Sequence, residues 1–373
     1  MPTPILIAGI PRQNMNLFHR CRFAVGDPAA WLEMPDRRVF VCRDIEVERA
    51  RRQVDADLVV CPADVVHVER LSGERDVATA QAVAALLREA GHAAVVADRT
   101  LALAYAQVLR DVGIDVQLDP HLGTRDRRSK TADEIEKLKK CQKMTENAIA
   151  LAAELIHNAT VGDAGVLLHE DSPLTSERVK ALVEMRLIEQ GFASDAGMIV
   201  AGLPHCADCH DSGAGVLRSG EPIIVDVFPR DRGSRYWGDC TRTFVHGTPT
   251  AELVAMHAAV VEAKAAAIET VRPGATGAAV HAAAVAVLEK YGFSFGTPQG
   301  DEPTMPHGTG HGVGLEVHEA PLLDAKGGEL VVGDVLTIEP GLYGRRAGGV
   351  RVEDMVVVTA GGCENLSTLT EAL

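Results

Sequence analysis

HGTGHGVGLEVHE, residues 307–319, is the stretch that settles how the rest of the chain is read. His307 and His311 stand at the i, i+4 spacing of a metal-binding pair on a helix. Gly308, Gly310, Gly312 and Gly314 argue against that helix, because each glycine in a helix interior costs about 1 kcal/mol relative to alanine. Extended backbone fits better, with the glycines leaving room for close approach around a site. Three histidines amid glycine, His307, His311 and His318, point to a site more than to core packing.

Strand-like segments flank this stretch. In EPIIVDVF (221–228), alternation puts Asp226 on one face with Ile224 and Phe228. A carboxylate on an apolar face is costly unless it is paired, hydrogen-bonded or metal-bound, and taken alone Asp226 leaves all three open. RDRGSRYWGD (230–239) reads as a hairpin turn that returns Asp239 beside Asp226. Two adjacent like charges call for a cation between them or a shared proton. Downstream, VLTIEPGLY (335–343) puts Val335, Thr337 and Glu339 on one face of a strand stopped by Pro340-Gly341. VRVEDMVVV (350–358) reads as a further β-forming run that carries Glu353. Singly, each of these acids fits an ordinary strand-edge carboxylate. Together, four carboxylates and one imidazole suit two divalent ions of the manganese, cobalt or zinc type.

The chain has 373 residues, which suggests two domains. Within the first third, ILIAGI, VFVC, LVVC, AAVVAD and DVQL read as buried strands, with an amphipathic helix over 76–91. An α/β domain over 1–125 follows. The polar stretch GTRDRRSKTADE (123–134) marks the boundary, and Thr131 and Glu134 form a capping-box pattern that opens a long helix. Helices also read over 250–270 and 276–291. Mixed without regular alternation, these helices and strands give 126–373 an α+β character.

Composition narrows the functional classes. Lys and Arg number 37 against 52 Asp and Glu, a formal net charge of −15 with no basic patch. That argues against nucleic acid and anionic membrane as partners. No apolar run approaches the roughly 20 residues of a spanning helix. The N-terminus lacks the features of a signal peptide, and eight scattered cysteines read as reduced thiols, so the expected location is cytoplasmic.

In chain order, IVDVF, GDCTRTF, HGTGHGVGLEVHE, TIEPGLY and GVRVED resemble the pita-bread metallopeptidases, the methionine aminopeptidase, aminopeptidase P and prolidase group. The resemblance implies an α+β pita-bread (creatinase/aminopeptidase) catalytic domain preceded by a creatinase-like α/β N-terminal domain. The N-terminal part, including DIEVERARRQ (44–53), resembles that of prolidases and aminopeptidases P. The family's pattern implies that Asp226, Asp239, His311, Glu339 and Glu353 hold two divalent ions, manganese first, with cobalt and zinc as alternatives. It implies a bridging hydroxide as nucleophile, Glu339 as proton shuttle, and His318 with an upstream histidine as stabilisers of the tetrahedral intermediate. His307 would line the pocket, with Arg351 and Tyr343 as further candidates for substrate contact. The implied enzyme removes the N-terminal residue from Xaa-Pro dipeptides or peptides, as a homodimer.

The upstream histidine is chosen by spacing. His210 precedes Asp226 by 16 residues (226 − 210) and His205 by 21 (226 − 205); the spacing typical of the family lies nearer the first, so the resemblance implies His210. CADCH (206–210) also matches the haem-attachment pattern Cys-x-x-Cys-His, read here as coincidence beside His210. The hairpin from Asp226 to Asp239 is longer than is common in the family. Two other readings keep the fold, a metal-free creatinase-like hydrolase and a non-catalytic peptide-binding module. The first predicts lost ligands and the second tolerates their loss, whereas all five positions are filled.

Overall fold

The computed structural model describes residues 2–298 and 300–373. They divide into two compact units, Met1–Arg127 and Arg128–Leu373.

The first unit is built on a six-stranded mixed sheet. Its strands run in the order Leu58–Val60, Arg38–Val41, Ala29–Glu33, Ile5–Gly9, Ala94–Ala97, Asp115–Leu118. Alternation along Ile5–Gly9 sends Leu6 and Ala8 into one apolar cluster and Ile7 into another, so both faces of the sheet are covered. Two features depart from the sequence expectation. Ala29–Glu33, an internal strand, has no counterpart in that reading. Asp115–Leu118, expected to be buried, is an edge strand with Leu118 67% exposed.

The second unit opens with the long helix Ala132–His157. Its capping box is present: Thr131 Oγ1 accepts the Glu134 amide at 3.3 Å, and the Glu134 carboxylate accepts the Thr131 amide at 2.9 Å. Helices Ala251–Thr270 and Gly277–Lys290 follow, each capped by a threonine hydroxyl, and pack on each other through Ala263, Ala267, Val280 and Ala284. A further helix, Ser176–Glu189, buries a Val179, Val183 and Leu187 stripe at four-residue spacing. That stripe was available in the sequence and is missing from the reading above.

Three sheets position the site. The first joins Met198–Ala201, Pro222–Val227 and Cys240–Val245; the second and third have four and five strands. VRVEDMVVV is not one strand. Gly348–Arg351 belongs to the four-stranded sheet and Asp354–Thr359 to the five-stranded sheet, so Glu353 lies in the break between them. Glu339 lies in the matching break between Val335–Ile338 and Gly341–Gly344. Ile338 pairs with Asp354 in one sheet and Gly341 with Arg351 in the other. The two crossings therefore run side by side, which sets both glutamates at the same junction. No described helix is long and apolar enough to cross a membrane.

Candidate metal centre

Asp226 and Asp239 come from one antiparallel pair, in which Asp226 stands opposite Thr241. The long connection between them is pinned at several points. Within it, Asp231 accepts the Gly233 and Ser234 amides and pairs with Lys140 at 2.6 Å. Gly238 lies against the long helix, where a Cβ would stand 2.3 Å from Thr145 Oγ1. The next amide, that of Asp239, donates to Gln142 at 3.1 Å. The extra hairpin length thus leaves Asp239 firmly seated.

The glycine-rich stretch is extended, as the helix penalty requires, with strand Gly310–Gly312. The glycines admit neighbouring backbone. A Cβ on Gly310 would lie 2.0 Å from the Thr337 carbonyl oxygen, and one on Gly312 would lie 2.4 Å from that of Ala320. Gly310→Ala is therefore expected to destabilise the chain by about 2–3 kcal/mol, read from denaturant unfolding. An unchanged midpoint would refute the close-approach reading.

The acids converge in a cavity of about 520 Å³ whose lining includes Asp226, Asp239, His311, Glu339 and Glu353. Candidate ligand atoms of Asp239, His311 and Glu353 lie within 4.8 Å of one another. The His311 Nε2 atom is 3.3 Å from Glu339 and 3.7 Å from Asp239. His311 Nδ1 faces the Gly312 carbonyl at 3.1 Å, so a proton on Nδ1 leaves the Nε2 lone pair turned towards the acids.

Electrostatics favours a cation here. Burial, then the Glu353, Asp226 and Glu339 carboxylates, push the Asp239 carboxyl well above its usual range. Burial, then Glu339 and Asp226, do the same to Glu353. Glu339 is raised chiefly by burial, against the opposing pull of His307 and Arg351. Burial holds His307, His311 and His318 below the ordinary imidazole value, which favours the neutral form that can act as a ligand. The buried Asp226 Oδ1 has no hydrogen-bond partner, which is costly without a counter-charge. The oxygen-rich donor set with one imidazole, the orphaned oxygen and the crowded acids all fit divalent metal ions.

Arg351 organises this cluster. It donates to Asp226 Oδ2 at 2.6 Å, Thr241 Oγ1 at 3.1 Å, Tyr343 Oη at 2.8 Å and the Cys209 carbonyl at 3.2 Å. The Thr241 hydroxyl donates to Glu353 at 2.7 Å. Tyr343 also meets His307 Nε2 at 3.0 Å. Tyr343 is not among the described residues lining the cavity; it is 3% exposed and stands behind His307 and Arg351. Thr241 is the functional contact that sequence reasoning missed, although a polar residue in the buried TRTFV strand was the available signal.

The remaining candidates separate clearly. His210, His307, His318 and Arg351 line the cavity, and the His318 ring lies 4.2 Å from that of His311. His205 is not among the described lining residues and pairs with Asp211 at 2.8 Å. Cys206 and Cys209 are free thiols. Cys206 is fully buried, its thiol pushed up to about 12 chiefly by burial, which leaves no room for a haem linkage. The turn carrying it rests on Gly349, where a Cβ would meet the Cys206 carbonyl oxygen at 2.0 Å.

Residues 136–360, which include every one of these positions, match the sequence profile described as metallopeptidase family M24. The chain belongs to this family. It is 35% identical over 202 residues to the Mycobacterium tuberculosis protein named "Probable dipeptidase PepE", covering 53% of this chain and 51% of that one. Over 153 residues it is 35% identical to the Xaa-Pro dipeptidase of Pyrococcus furiosus, covering 40% and 41%. The matched stretch thus spans about half the length of the first of these relatives, and less of the second. Among solved structures, the Xaa-Pro dipeptidase from Bacillus anthracis superposes with a TM-score of 0.81 at 24% identity, covering 99% of this chain and 94% of that one. An X-Pro aminopeptidase from Thermotoga maritima gives 0.80 at 22% identity, covering 99% and 96%. These likenesses establish a shared fold over nearly the whole chain, with the pita-bread fold of the family in the second unit.

Proposed function

We propose that this chain is a two-metal exopeptidase that removes the N-terminal residue from peptides with proline second. The observation that carries the reading is the convergence of four carboxylates and a histidine in one cavity, three of the acids held above their usual range by burial and mutual repulsion. Divalent ions at such a site supply charge neutralisation, polarisation of the scissile carbonyl and an acidified water.

The chain's own residues complete the chemistry. Asp226, Asp239, His311, Glu339 and Glu353 would hold the ions. Glu339, with its raised affinity for a proton, would take a proton from the nucleophile and give it to the leaving amine. His318 and His210, on the cavity wall, would orient the scissile carbonyl and stabilise developing charge. Arg351 would hold Asp226 in position, and His307, braced by Tyr343, would form the wall against the second residue. Met198, Ile199, Phe228 and Val317 supply apolar lining. A proline nitrogen carries no proton and its ring fixes φ, so a shaped apolar wall suits it.

Manganese is the first candidate ion, on the oxygen-rich donor set. Free cysteines throughout support a reducing, cytoplasmic setting, and the homodimer rests on the resemblance. Purified protein should contain divalent metal and hydrolyse Xaa-Pro substrates after manganese or cobalt addition, faster than Met-Xaa peptides. Metal-free protein that stays inactive under those additions would refute the proposal.

A further inference from the structure

We propose that Asp324 makes the cavity selective for peptides that continue past the second residue, against dipeptides that end there with a free carboxylate. This rests on the exopeptidase reading above and names its substrate class.

The cavity has a closed floor and an open rim. Asp226, Asp239 and Glu353 at the floor are at most 8% exposed, whereas Leu322 is 52% exposed and Asp324 half-buried. The sheet register sets the rim. His311 stands opposite Leu322 and Gly310 opposite Leu323, so the chain direction carries Asp324 one step further. With side chains alternating, Asp324 continues the face of Leu322, and both line the cavity. The position is anchored: the Thr309 amide donates to the Leu323 carbonyl at 2.7 Å, and Asp324 Oδ1 accepts the Lys326 amide at 2.8 Å. Asp324 also packs beside Gly308, where a Cβ would lie 3.3 Å from its own.

A peptide entering such a cavity brings its scissile bond to the ligand-bearing floor, and the chain beyond that bond leaves through the rim. A dipeptide brings a carboxylate to within about one residue length, roughly 3.5 Å, of the scissile bond. Among the described lining residues, Arg351 is the only lysine or arginine, and it already serves Asp226, Thr241, Tyr343 and the Cys209 carbonyl. Asp324 instead presents a second negative charge on the exit side. A like charge facing the dipeptide's carboxylate in a half-solvated site weakens its binding, and added salt screens that penalty. An amide or a continuing peptide bond at that point escapes this penalty.

The test uses the full chain loaded with manganese and three substrates, Ala-Pro, Ala-Pro-amide and Ala-Pro-Gly. Expected is a kcat/KM about tenfold lower for Ala-Pro than for the other two, a gap that narrows with added salt. Asp324→Asn should bring that ratio to within about threefold. Calorimetric binding of the reduced-bond Ala-Pro analogue, as acid and as amide, should show the same preference in Kd without any turnover. Ala-Pro cleaved as well as its amide would overturn the inference while leaving the exopeptidase reading intact. A tenfold gap unchanged in Asp324→Asn and insensitive to salt would overturn the role of Asp324. Failure to cleave all three would overturn the exopeptidase reading and this inference with it.

Discussion

Asp239→Ala should lower kcat/KM by at least about 10³-fold while leaving the chain folded, and should stabilise the metal-free protein. The first effect follows from its proposed place among the metal ligands, since metal-assisted hydrolysis supplies several kcal/mol of transition-state stabilisation. The second follows from crowding. In the metal-free chain the Asp239 carboxyl is opposed by burial and by Glu353, Asp226 and Glu339. Removing it relieves repulsion, and its structural hydrogen bond survives because the backbone amide, not the side chain, donates to Gln142. Manganese at a hundred times its Kd should stabilise the native protein by about 2.7 kcal/mol and the variant by much less. Thermal unfolding with and without manganese reads both arms. Near-normal turnover, or a variant that manganese stabilises as strongly as the native chain, would refute the assignment of Asp239 as a metal ligand.

How far such a site can be seen in sequence depends on whether its parts are local. The glycine penalty in HGTGHGVG is local and excludes a helix, and the stretch is extended. Alternation in EPIIVDVF is local too, and it sets Asp226 beside the partner strand that Asp239 leads. The break at Glu353 is not local. Valines on both sides carry the same β preference, so VRVEDMVVV gives no sign of a change of sheet. The break is made by partners far along the chain: the Glu353 amide donates to the Thr241 carbonyl at 3.1 Å, and the Glu339 amide to that of Thr309 at 2.8 Å. Those two bonds turn the backbone out of one ladder at each glutamate. Thr241 shows in the sequence as a polar residue in a buried strand, but its bridge between Arg351 and Glu353 depends on partners far along the chain. Asp115–Leu118 was misread because an apolar alternation does not reveal whether a strand has a neighbour on both sides.

Arg351→Met carries the second large expected effect, on stability as much as on activity. In the metal-free chain Arg351 is the cation that meets Asp226, 2.6 Å away and buried like it. Removing one partner of a buried pair costs roughly 3–5 kcal/mol, because the other charge is left uncompensated. Here it would leave Asp226 without its guanidinium partner, when the other carboxylate oxygen has none already. It would also cut the links to Thr241, and so to Glu353, and to Tyr343, and so to His307. Activity should fall by about 10²-fold through misplaced groups. Arg351→Lys keeps the charge but not the fork, so it should recover part of the stability and little of the activity. The decisive comparison is Asp226→Asn combined with Arg351→Met, measured by denaturant unfolding of the metal-free protein. If the pair is what holds the site together, removing the acid as well should restore about half of the lost stability. A double variant no more stable than Arg351→Met alone would mean that Arg351 stabilises the chain through its other contacts and not through Asp226.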